Sequence, residues 1–170
     1  MYNDKLPKRK QIRLKNFDYS SNNAYFITIC THNRKNMLSH IRRGDSCGRP
    51  KNELTELGEI AYNTISKIKD MFDVTIDCFV IMPNHIHFVI FIEKRATARV
   101  APTRGRIVGT YKSLVLKEFR EICNNKNEIM GKIWQRSFFD HIIRNEQEYY
   151  EIWKYIELNP DKWIYSKMHI

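Results

Sequence analysis

The chain has 170 residues, 42% of them hydrophobic, enough for one domain with a real core and too few for two comfortable ones. Its 29 Lys and Arg against 19 Asp and Glu leave a formal charge of +10, which favours a polyanionic partner, nucleic acid first, because phosphates gain from neutralisation and counterion release. The charged N-terminus excludes a secretory signal and no run approaches the ~18 apolar residues of a membrane span, so a soluble cytoplasmic protein without a membrane partner is expected. Cys30, Cys47, Cys78 and Cys123 stand far apart with no Cys-x-x-Cys pair, and read as reduced, mostly buried thiols.

Residues 1–170 read as a single domain, with a basic N-terminal arm over 1–18 that is densest from Lys5 to Lys15. The stretch 24–31, Ala-Tyr-Phe-Ile-Thr-Ile-Cys-Thr, is rich in β-branched and aromatic residues and predicts a buried strand. Gly44, Gly48 and Pro50 make 42–50 a loop, after which Leu54, Leu57, Ile60, Ala61, Ile65 and Ile68 recur at helical spacing and predict a helix over 53–71. Two apolar runs, 73–82 and 85–93, flank the turn dipeptide Pro83-Asn84 and predict an antiparallel hairpin. Residues 94–106, without periodicity, are expected to be a flexible basic connector. A second helix is expected over 108–123, a fourth strand over 133–143, and a third helix over 146–158 that Asn159-Pro160 terminates. Strand, helix, two strands, helix, strand and helix is the pattern of an α+β, ferredoxin-like antiparallel sheet with helices packed mainly on one face.

His85 and His87 lie two apart in a strand, so both leave the same face of the sheet and can converge on one ion. Imidazoles prefer borderline metals, but with an oxygen ligand and water they also accept Mn²⁺ or Mg²⁺; two hydrogen-bonded structural histidines give the same spacing. Tyr155 and Asn159 are one helical turn apart beside Ile152 and Ile156, so their side borders the face that packs on the sheet. A phenol at that place also serves as an ordinary packing anchor.

Six ordered segments decide between these readings. They are Tyr25-Phe26-Ile27-Thr28-Ile29-Cys30-Thr31 with Asn33-Arg34, then Met82-Pro83-Asn84-His85-Ile86-His87, then Gly109-Thr110-Tyr111-Lys112-Ser113, followed by Trp134-Gln135-Arg136, Asp140-His141-Ile142-Ile143-Arg144-Asn145-Glu146 and Tyr155-Ile156-Glu157-Leu158-Asn159-Pro160. In that order they resemble the single-tyrosine HUH transposases, most closely the REP-associated tyrosine transposases, over about Arg13 to Trp163. The resemblance implies an HUH endonuclease-like fold and a metal-dependent strand transferase that cuts single-stranded DNA near hairpins through a 5′-phosphotyrosine. It implies Tyr155 as nucleophile, His85 and His87 as ligands of a divalent ion, Mg²⁺ or Mn²⁺, and Asn159 as the polar residue completing the metal shell. His141, after Asp140, is a candidate accessory ligand or proton carrier, or a structural hydrogen-bonding residue. Arg13, Lys112, Lys117, Arg136 and Arg144 sit in or beside matching segments and are candidate phosphate contacts. Trp134 and Phe138 are candidates for stacking on unpaired bases or for the core.

The implied partner is single-stranded DNA with hairpins, either palindromic repeats or element ends. Related transposases include homodimers that exchange the tyrosine helix and monomers, and the sequence does not choose between them. The alternative is a non-catalytic hairpin-binding regulator that keeps the fold. A replication initiator or relaxase would use the same nucleophile, but fits the motif order and length less well.

Overall fold

The computed structural model describes residues 24–44, 50–92 and 103–168; the basic arm with Arg13, most of the connector, and Cys47 lie outside the described residues. The strands are β1 (Ala24–Cys30), β2 (Ser39–Arg42), β3 (Lys51–Leu54), β4 (Thr75–Met82), β5 (His85–Phe91) and β6 (Phe139–Ile143). The helices are α1 (Glu56–Phe72), α2 (Arg104–Asn125), α3 (Glu146–Glu157) and α4 (Asn159–Met168). Four strands form one antiparallel sheet in the order β4-β5-β1-β6, the ferredoxin-like arrangement expected, while β2 and β3 pair separately.

Every residue of β5 is buried, because this central strand is covered on both faces. Ile86, Phe88 and Ile90 point to one face, where Ile27 and Ile29 of β1 join them beneath the long helices α1 and α2. The helical repeat seen in the sequence supplies the other half of this core through Leu57, Ile60, Ala61, Ile65 and Ile68 of α1. Val89 and Phe91 point to the opposite face, where α3 covers them with Tyr149 and Ile156. Each such apolar side chain taken from water contributes about 1.5–3 kcal/mol.

Several boundaries differ from the sequence expectation for local reasons. Helix α1 begins at Glu56, because the Thr55 hydroxyl accepts from the Gly58 N–H at 3.1 Å and donates to Met37 O at 2.7 Å. The preceding residues 51–54 pair with β2 instead of extending the helix. Gly58 permits this junction, since a Cβ there would lie 1.9 Å from the Leu38 carbonyl oxygen. Helix α2 begins at Arg104, earlier than expected, with Thr103 accepting from the Arg106 N–H at its start. Strand β6 is shorter than expected: Trp134 makes an isolated bridge to Thr31, and the chain rejoins the sheet only at Phe139. Asn159-Pro160 does end α3, but the chain turns at Leu158 and starts α4, with Pro160 in the first turn, where a missing N–H leaves no hydrogen bond unmade. Among the described residues, no helix is long and apolar enough to cross a membrane.

Candidate active site

Sheet register explains how the two histidines are held. His87 lies opposite Thr28 of β1 and Val80 of β4, and His85 lies opposite Cys30 and Met82. Thr28 Oγ1 is 2.9 Å from His87 Nδ1, and Asn84 Oδ1 is 2.7 Å from His85 Nδ1. The Asn84 amide is oriented by a second bond, its Nδ2 donating to Arg34 O at 3.2 Å, so its oxygen faces the imidazole and accepts. His85 therefore carries its proton on Nδ1, which leaves Nε2 unprotonated. Partners that fix the outer ring nitrogen are a common support for imidazoles that ligate metal through the other.

Helix α3 brings the phenol to the same place. The Tyr149 hydroxyl donates to Asp77 on β4, and Ile156 is buried against the sheet, which anchors the helix along its length. Tyr155, the neighbour of Ile156, is 39% exposed and reaches over the sheet, its hydroxyl 3.5 Å from His87 Nε2. Its ring meets that of His87 with centroids 5.3 Å apart, Phe26 stands edge-on to it, and the Lys162 ammonium lies 4.9 Å from the ring centroid. Asn159 is buried and close enough to His85 to act on its titration. Asn159 is the first residue of α4, directly after the break at Leu158 that ends α3.

Burial, then the positive charge of Arg34, lowers the His85 pKa to about 4, with the Asn159 hydrogen bond opposing. Burial, then His85, then Arg34 lowers His87 to about 3. Both imidazoles are neutral at physiological pH, the state that ligates metal.

Beside this cluster opens a cleft of about 480 Å³, lined by Phe26, Thr28, Cys30, Arg34, His87 and Tyr155 and by the segment around Gln135, Ser137, Phe138 and Phe139. Arg34 was not singled out by sequence; the signal available was its place in the first matching segment. Thr28 and Asn84 were likewise quoted only as motif neighbours, since their bonds to the histidines appear only in the fold.

The remaining candidates are scattered. The Lys112 ammonium, half-buried, donates to the carbonyls of Gln135 at 2.9 Å, Arg136 at 3.4 Å and Ser137 at 2.9 Å, holding the cleft wall. Lys117, Arg136 and Arg144 are exposed, and Arg144 lies 4.0 Å from Glu148. His141 Nε2 is 2.6 Å from Glu148 Oε1, and Glu148 also accepts from the Arg144 N–H, so this histidine helps fix the start of α3. Trp134 is buried in the core, whereas Phe138 packs against that core and also borders the cleft.

The donor set fits a divalent ion: two neutral imidazoles on one face, each with Nδ1 held from behind, and a buried amide beside them. Among the described residues no group of three or more His, Cys, Asp or Glu gathers for an ion.

The chain belongs to the IS200-like transposase family, whose model matches residues 19–159. It is 34% identical over 186 aligned positions, covering 99% of this chain and 97% of the relative, to an uncharacterized protein of Haemophilus influenzae. It is 24% identical over 160 positions, 89% of this chain and 79% of the relative, to the REP-associated tyrosine transposase of Escherichia coli strain K12. A solved REP-associated tyrosine transposase bound to a REP hairpin shares the fold, with a TM-score of 0.53 and 21% identity over 88% of this chain and 73% of that one.

Proposed function

We propose that the protein is a metal-dependent strand transferase that cuts and rejoins single-stranded DNA near hairpins, with Tyr155 as nucleophile. His85 Nε2, His87 Nε2 and the Asn159 side-chain oxygen would hold Mg²⁺ or Mn²⁺. The observation that carries this reading is the approach of the Tyr155 hydroxyl to 3.5 Å from His87 Nε2, at the mouth of an open cleft. Hairpin DNA as substrate is supported by the likeness to a transposase solved on a REP hairpin and by the +10 charge.

A divalent ion held by these residues would withdraw charge from the phosphate and favour the phenolate form of Tyr155. The Tyr155 oxygen bonds to phosphorus as the P–O3′ bond breaks. The electron pair of that bond leaves with the 3′ oxygen, which takes up a proton, and the phenol proton is released to solvent. The product joins Tyr155 to the 5′ phosphate. Because the phosphotyrosine is still an activated ester, an incoming 3′ hydroxyl reverses the step and rejoins strands without ATP.

Labelled single-stranded hairpin DNA from the flanks of the gene, incubated with Mn²⁺ and resolved on a denaturing protein gel, tests the reading. A labelled adduct that disappears in Tyr155→Phe and with EDTA is expected. Binding without adduct or cleavage on any such hairpin would replace the enzyme by a hairpin-binding regulator.

A further inference from the structure

We propose that Arg34 is a further catalytic residue, its guanidinium binding the scissile phosphate in the cleft beside Tyr155. The proposal rests on the strand-transfer reading and extends it to a cation that belongs to the chain itself.

Four observations on this residue converge. Arg34 is exposed and lines the same cleft as Tyr155 and His87. Among the described residues it has no carboxylate partner, which leaves its guanidinium available to an anion. Its backbone is left-handed, φ 51°, directly after Asn33 at φ 52°, in a chain position where neither residue is glycine. Such a turn persists only where its surroundings over-determine it, and they do: Thr31 Oγ1 donates to Lys35 O at 2.8 Å, and Asn84 Nδ2 donates to Arg34 O. Asn84 is also the residue that sets the His85 tautomer, so one side chain fixes the arginine's backbone and the imidazole together.

The fourth observation is that the placement is electrostatically unfavourable without a ligand. Arg34 places a positive charge in the same cleft as His87, where it opposes a cation held there. A phosphate diester reverses the sign, because its oxygens accept from the planar guanidinium on one side and face the imidazole pair on the other.

The test compares wild type with Arg34→Gln and Arg34→Lys in three measurements: Mn²⁺ affinity by calorimetry, affinity for a single-stranded oligonucleotide against salt, and the single-turnover adduct rate at saturating Mn²⁺ and DNA. For Arg34→Gln, Mn²⁺ affinity is expected to be equal or several-fold tighter. The salt slope is expected to fall by about 0.7, one phosphate contact on single-stranded DNA. The adduct rate is expected to fall about 100-fold, with Arg34→Lys recovering part of it. Weaker Mn²⁺ binding would overturn the proposal in favour of a turn that merely supports the ligands, and an adduct rate within threefold of wild type would overturn it outright. If the wild type forms no adduct, the strand-transfer reading fails, and the salt slope alone then decides Arg34: a fall of about 0.7 upholds its phosphate contact and no change removes it.

Discussion

The two faces of the sheet are built from the same strands and serve opposite ends. On one, Ile27, Ile29, Ile86, Phe88 and Ile90 meet α1 and α2 in a continuous apolar layer. On the other, α3 covers only part of the surface, and the polar residues Thr28 and His87 line an open cleft with His85 buried next to them. A single strand, β5, supplies both. Its period of two puts Ile86, Phe88 and Ile90 in one core, while the interleaved set divides between packing, Val89 and Phe91 under α3, and the polar pair His85 and His87.

Phe88→Ala should break this division most severely. Phe88 is 2% exposed and packs near Tyr111, so its truncation is expected to lower stability by about 3–5 kcal/mol in denaturant unfolding. Little loss would mean that the α1/α2 face is not the stabilising one.

Next comes pH. Both imidazoles titrate below the ordinary range in the fold, so the unfolded chain binds protons near pH 6.5 that the native protein refuses until about 4 for His85 and about 3 for His87. Their contribution to stability is complete above about pH 6.5 and is lost as pH falls through that interval. The metal-free melting temperature should drop steadily over it, and the double variant His85→Gln/His87→Gln should flatten the drop. An unchanged profile in that variant would mean the imidazoles are not the groups responsible.

Much of this division was legible beforehand, and what was not has identifiable causes. The apolar layer announces itself through helical repeats in α1 and dense β-branched runs in β1 and β5. The hairpin β2–β3 does not, because Ser-His-Ile-Arg and Lys-Asn-Glu-Leu are short and largely polar. Helix α4 was hidden by Pro160, which stops one helix and suits the first turn of the next. At the site, residue types and spacing pointed to His85, His87, Tyr155 and Asn159, with the family resemblance supplying their roles, and the fold brings them together. Thr28 was invisible in that role, since 59 residues separate it from the histidine it touches.

A smaller effect sharpens the polar side. Thr28→Val keeps shape but removes the partner of His87 Nδ1, and should weaken Mn²⁺ binding by about 10- to 100-fold in calorimetry with the fold intact. An unchanged affinity would show that the threonine only fills space.

Smallest is Lys112→Met. All three donors of the ammonium are engaged by carbonyls of the cleft wall, so the variant should speed amide hydrogen exchange around residues 135–138. The salt slope of DNA binding should stay as in wild type; a lower slope would identify Lys112 as a phosphate contact instead.

The most direct test of the central claim is to digest the covalent protein–DNA product with trypsin and nuclease and locate the nucleotide by mass spectrometry among the nine tyrosines. The account predicts the added nucleotide on Tyr155 and on no other residue, formed only with the divalent ion present. A nucleotide on a different tyrosine, or an equal yield in EDTA, would contradict it.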